Sequence, residues 1–170
     1  MIADVINFKK LRLALIYTGY LIIALFFQDT VFARLGLFGV KMLFMPATCV
    51  AVGMFEGGFR GGLFGLLAGV LCDLTFAENT VLFTLLFPLL GFCGGAAAEF
   101  WLSHSFTAYL TIAAVALLVS ALCQMIRVIL LEPGAILTCL LTVGIQTLWS
   151  LPMAIAVYFP AKSIHKRWSA

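Results

Sequence analysis

Polar positions are rare along this chain, and they fall between long apolar runs rather than alternating with them. About 20 apolar residues cross the hydrocarbon core of a bilayer as a helix, with a range of roughly 17–25. Backbone polar groups in lipid must be satisfied internally, so continuous apolar runs mean helices, and the short alternating segments of a membrane barrel are missing here. The pattern predicts six spans, over residues 11–27, 42–55, 60–73, 80–98, 107–131 and 135–159. Gln28-Asp29 are expected to end the first span and Glu132-Pro133-Gly134 the fifth. Pro46, Pro88 and Pro152 are expected inside spans, where neighbouring helices re-satisfy the freed carbonyls. The fold class expected is an all-α integral membrane protein, a bundle of about six transmembrane helices forming one polytopic domain over residues 1–170.

Composition agrees. Of 170 residues, 64% are hydrophobic and 10% charged, against roughly 45–50% and about 25% in soluble domains. A small water-soluble fold cannot hide that much apolar surface. The formal charge of +3 is too small to indicate a nucleic-acid partner, and its placement is more informative. With six spans both termini lie on one side, together with Lys9, Lys10, Arg12, Arg60, Lys162, Lys166 and Arg167, while Arg34, Lys41 and Arg127 fall on the other. The excess of basic residues assigns the first side, with both termini, to the cytoplasm. Lys9, Lys10 and Arg12 before an apolar run, with Val31-Phe32-Ala33 downstream, loosely resemble a cleavable signal peptide. The run is long for one and Asp29 interrupts the approach to Ala33, so a retained first helix is expected.

The third span carries the densest motif. Gly57, Gly61, Gly65 and Gly69 recur every four residues, and Asp73 takes the next place in the series. An i, i+4 row lies along one ridge of a helix, so this is a glycine groove that ends in a carboxylate. Small residues let membrane helices approach closely, and such packing offsets the helix propensity that glycine costs. Two uses remain open, packing within the bundle and docking of a partner protein. Asp73 also begins a hydrophilic patch, and an outer-end polar cluster of Asp73, Glu78 and Arg127 is expected. Asp73 could equally cap or end its own helix, and Arg127 could snorkel to the surface. At the inner end Glu56 and Arg60, four apart, suit a local ion pair, and Glu99 is expected at the cytoplasmic interface.

Candidate chemistry is sparse. Cys49, Cys72, Cys93, Cys123 and Cys139 form no C-x-x-C pair and lie in or beside apolar runs, where cysteine acts as a small hydrophobe. His104 and His165 are isolated in sequence, which argues against a metal site. No G-x-S-x-G or H-E-x-x-H appears, and charge is missing from the middle of the spans, where an ion-coupled transporter needs it. Neither an enzyme nor a cofactor is expected.

The run from Phe55 to Gly95 resembles the core of the rod shape-determining protein MreD family. The likeness rests on the glycine-spaced helix Gly65-Leu66-Leu67-Ala68-Gly69-Val70-Leu71-Cys72-Asp73, the short outer loop after it, and Leu89-Leu90-Gly91-Phe92, close to that family's Leu-x-Gly-Tyr. The basic tail after Pro160 fits as well. Many members carry Pro-Asp-Leu near the start of the second helix, where this chain reads Lys41-Met42-Leu43-Phe44-Met45-Pro46 without the aspartate. The resemblance implies a six-span scaffold of the bacterial cytoplasmic membrane that belongs to the cell-elongation machinery. It implies binding to a membrane-anchored MreC-like partner and links to MreB filaments and peptidoglycan synthases. It also implies a fold like that of the S components of energy-coupling-factor transporters. A vitamin-binding S component is therefore the alternative, although Ala14 with Thr18 is a weak match to the Ala-x-x-x-Ala stripe those proteins use for docking.

Overall fold

A computed structural model describes residues 8–32, 40, 42–75, 81–100, 105–131, 134 and 136–169. It contains six α-helices, α1 (Phe8–Phe26), α2 (Met45–Glu56), α3 (Gly58–Thr75), α4 (Leu82–Phe100), α5 (Phe106–Leu131) and α6 (Ile136–Ile164), and the described residues form no sheet. Five of these are long and apolar enough to cross a membrane, with α1 continuing past Phe26 as a π-helical turn, Phe27–Phe32. α6 ends in a similar turn, His165–Ser169. The chain is an all-α, multi-pass membrane bundle.

The second span, short already in the sequence, starts three residues later than expected. α2 has 12 residues, which at 1.5 Å per residue reach about 18 Å, short of the roughly 30 Å hydrocarbon core. It survives because lipid never meets it. Every residue from Met45 to Phe55 is buried, and α3, α4, α5 and α6 all pack around it. Pro46 stands in its first turn rather than inside it, where the missing N–H would have had no helical acceptor. The non-helical Met42–Phe44 and the start of α2 are also buried, so their amides need partners. The Leu43 N–H donates to Ser150 Oγ at 3.1 Å and the Met45 N–H to Gln28 Oε1 at 3.2 Å. Gln28 therefore does not stop α1. It is buried in the π-helical turn and finishes a different helix.

Contacts between helix ends fix the up-and-down order. The starts of α1, α3 and α5 share one end of the bundle with the ends of α2, α4 and α6, as contacts of Glu56 with Arg60 and His165, of the turn after α6 with α1, of Gly95 with Gly58 and of Phe106 with Tyr158 require. Aromatic rings tie the end of α6 to this end. Tyr158 packs on Tyr109 with centroids 5.0 Å apart, on Phe106 at 5.1 Å and on Phe55 at 5.5 Å. The Tyr109 hydroxyl lies 2.8 Å from the Ala154 carbonyl and 3.3 Å from that of Ala47, joining α5 to α6 and α2. All five cysteines are free thiols.

Candidate functional site

The glycine row is a contact between helices of this chain. A methyl group added at Gly65 would collide with the Phe87 carbonyl, and one at Gly69 with the Phe83 carbonyl. A methyl group at Gly61 would meet both the Gly53 Cα of α2 and the Gly91 carbonyl of α4. Gly91 and Gly95 return the relationship from α4, facing Gly61 and Gly58. Backbones of α2, α3 and α4 thus touch without side chains between them. In lipid this contact must come from van der Waals packing, since no water is released between spanning helices. Of the two uses left open by the sequence, packing within the bundle occupies Gly61, Gly65 and Gly69, and α4 leaves no room for a partner on that ridge.

Gly57 belongs to a different feature. It interrupts the helix with φ of 92°, a left-handed conformation that L side chains adopt at a cost. Its N–H donates to the Gly53 carbonyl at 2.9 Å, and its own carbonyl accepts from Gly61 N–H at 2.9 Å. The chain reverses over this one residue, which is how Gly53 and Gly61 come face to face.

Asp73 continues the glycine ridge by one turn, and there it meets the start of α4. Its Oδ2 accepts the Thr84 N–H at 2.8 Å and the Thr84 hydroxyl at 2.6 Å, and its Oδ1 accepts the Phe83 N–H at 3.2 Å. These are the orphan amides of a first helical turn, and a carboxylate there also meets the positive end of the helix dipole. Asp73 caps the next helix, not its own. Glu78 lies outside the described residues, and so does the side chain of Arg127, whose backbone falls in α5. The expected outer-end cluster is thus described only at Asp73.

The opposite end holds a polar centre that sequence spacing only half reveals. The Glu56 side chain is 1% exposed, and Arg60 Nη1 lies 2.7 Å from its Oε2. On Oε1 converge the Tyr17 hydroxyl at 2.9 Å, donating from α1, and His165 Nδ1 at 3.0 Å, from the turn after α6. With that oxygen accepting, the imidazole carries its proton on Nδ1. A buried carboxylate in a membrane protein requires such partners, and here they come from three segments, α1, α3 and the turn after α6. Phe55 stacks on the His165 ring at 5.6 Å and holds it in place. The local pair of Glu56 and Arg60 was visible four residues apart. Tyr17 and His165 were not, because nothing in their own neighbourhoods marks them.

Beside this centre α1 stands slightly away from α3, leaving a groove of about 400 Å³. Its walls are apolar, with Ala14 and Thr18 from α1 and Leu63, Leu66 and Leu67 from α3, and Glu56 and Arg60 mark one end. Phe64 forms the floor, its ring edge-on to Tyr17 at 6.2 Å. Among the described residues no three His, Cys, Asp or Glu side chains gather as metal ligands.

These features define a multi-pass helical membrane protein with a glycine-packed core and a polar centre at one end. No family model, curated protein or solved structure matches the chain.

Proposed function

We propose that the chain is a non-catalytic membrane scaffold of the bacterial cell-elongation machinery, holding a MreC-like anchor near MreB and the peptidoglycan synthases. The observation that carries this reading is the coincidence of two features. The stretch from Phe55 to Gly95 that resembles the MreD family is the same stretch whose glycines bring α3 and α4 into backbone contact. A core of that kind suits a rigid support for partners. The reading places the protein in the cytoplasmic membrane with both termini inside, since Arg12, Arg60, Lys162, Lys166 and Arg167 share one end of the bundle and basic residues favour the cytoplasmic side.

Affinity purification of the tagged protein from its native membranes in mild detergent, followed by mass spectrometry, tests the reading. Recovery of a MreC-like anchor with wall-synthesis enzymes is the expected result. Recovery of an ATPase pair with a transmembrane coupling subunit would replace it with the S-component reading. One observation favours that alternative. Gln28 Nε2, Gln146 Oε1 and Trp149 Nε1 are buried without a hydrogen-bond partner among the described residues, and buried groups of this kind are the ones a small polar ligand would engage.

A further inference from the structure

We infer that the groove between α1 and α3 is a binding site for one anionic phospholipid, with an acyl chain along the apolar walls and the phosphate at Arg60. The argument stands on the groove itself and is independent of the scaffold reading. Its volume of about 400 Å³ is of the order of one acyl chain and far too small for a helix, whose diameter with side chains is about 10–12 Å. It opens to lipid, since Leu63, Leu66 and Leu67 are each about half exposed on the same side. A spanning helix that stands off its neighbour in a bilayer leaves space that lipid must fill, because water there would be costly.

Charge selects the headgroup. Arg60 spends Nη1 on Glu56, yet its side chain is 48% exposed, and a guanidinium carries five donors in a fork suited to phosphate. Arg12 adjoins the groove-lining Leu13 and Ala14. The turn His165–Ser169, with Lys166 and Arg167, touches α1 at this same end. Of the described carboxylates at that end, Glu56 has both oxygens engaged, and Glu99 sits away from the groove, against Gly57. Among the described residues the end of the groove is therefore net basic, and basic pockets between spanning helices take anionic headgroups. A zwitterionic lipid would fill the walls equally well but forgo the pairing.

Two measurements on the full-length protein test this. In vesicles containing phosphatidylglycerol with a photoactivatable acyl chain, crosslinks are expected to concentrate on Ala14, Leu63, Leu66 and Leu67. An even spread that includes Leu85 and Leu137 on other faces would overturn the site, as would crosslinking of these positions to a polypeptide in place of lipid. In native mass spectrometry the protein is expected to retain one phosphatidylglycerol about fivefold better than phosphatidylcholine, and Arg60→Gln is expected to erase the preference. Equal retention of the two lipids by the unaltered protein overturns the headgroup assignment. Leu67→Trp fills the groove from a lipid-exposed position without touching the Glu56 pair, so its retention of lipid at the unaltered level would overturn the site even if Arg60→Gln does not fold.

Discussion

Glu56 and His165 stand 109 positions apart in the chain, yet Nδ1 of the imidazole lies 3.0 Å from the carboxylate. The same oxygen accepts from Tyr17, 39 positions away on the other side. One buried carboxylate thus fastens the start of the bundle, its central helix and its last turn to one another. The arrangement explains how the short α2 keeps its place, held at its far end by Gln28 and Ser150 through the start of the helix and at its near end by this carboxylate.

Because Tyr17 and His165 share one acceptor, their contributions should be coupled. Tyr17→Phe and His165→Ala are each expected to lower stability by about 1 kcal/mol. The double variant should depart from the sum by about 0.5 kcal/mol or more. Unfolding of the four proteins in one detergent, followed by circular dichroism, gives the cycle. Strict additivity would mean that the two side chains act on different groups.

The glycine contact predicts a sharp contrast between neighbours. Gly65→Leu drives a side chain into the Phe87 backbone and is expected to lose at least about 1–3 kcal/mol, or to abolish folding. Leu66→Ala, at a lipid-exposed position, is expected to fall within about 0.5 kcal/mol of the unaltered protein. Thermal stability in detergent separates them, and equal values would remove Gly65 from the α3–α4 interface.

Asp73 acts on a helix it does not belong to. Asp73→Ala is expected to cost about 1–2 kcal/mol and to speed hydrogen exchange at the Phe83 and Thr84 amides. Asp73→Asn, which keeps one acceptor oxygen, should recover part of both effects. Unchanged exchange at those two amides in the alanine variant would refute the cap.

The order of the helix ends predicts labelling by side. In a cysteine-free background, Ser105→Cys and Ser163→Cys should react with a membrane-impermeant maleimide from one face of sealed vesicles, and Thr75→Cys and Thr138→Cys from the other. Ser105 and Ser163 labelling from opposite faces would contradict the antiparallel pairing of α5 with α6.

Five of the helices were legible because lipid imposes one rule on every position of a span, and a run of apolar residues displays that rule locally. Asp73 was legible as a special residue because it sits in register with Gly61, Gly65 and Gly69. α2 was legible as a short helix but not as a buried one. Its apolar residues look the same whether they face lipid or protein, and only the surrounding helices reveal that Met45 to Phe55 face protein. Gln28 read as a boundary because a buried glutamine can be accommodated only by a partner, and its partner, the Met45 amide, belongs to another helix.

The apolar runs, the glycine spacing and the distribution of basic residues, all local properties, were enough to indicate a helical membrane protein, a glycine ridge on its third helix and the end of the bundle where basic residues gather. The meeting of α4 with that ridge, the burial of α2, the capping of α4 by Asp73 and the convergence of Tyr17 and His165 on Glu56 were decided by tertiary structure alone. Each depends on which surface another helix presents, and a polar group in lipid is stabilised only when such a surface brings it a partner.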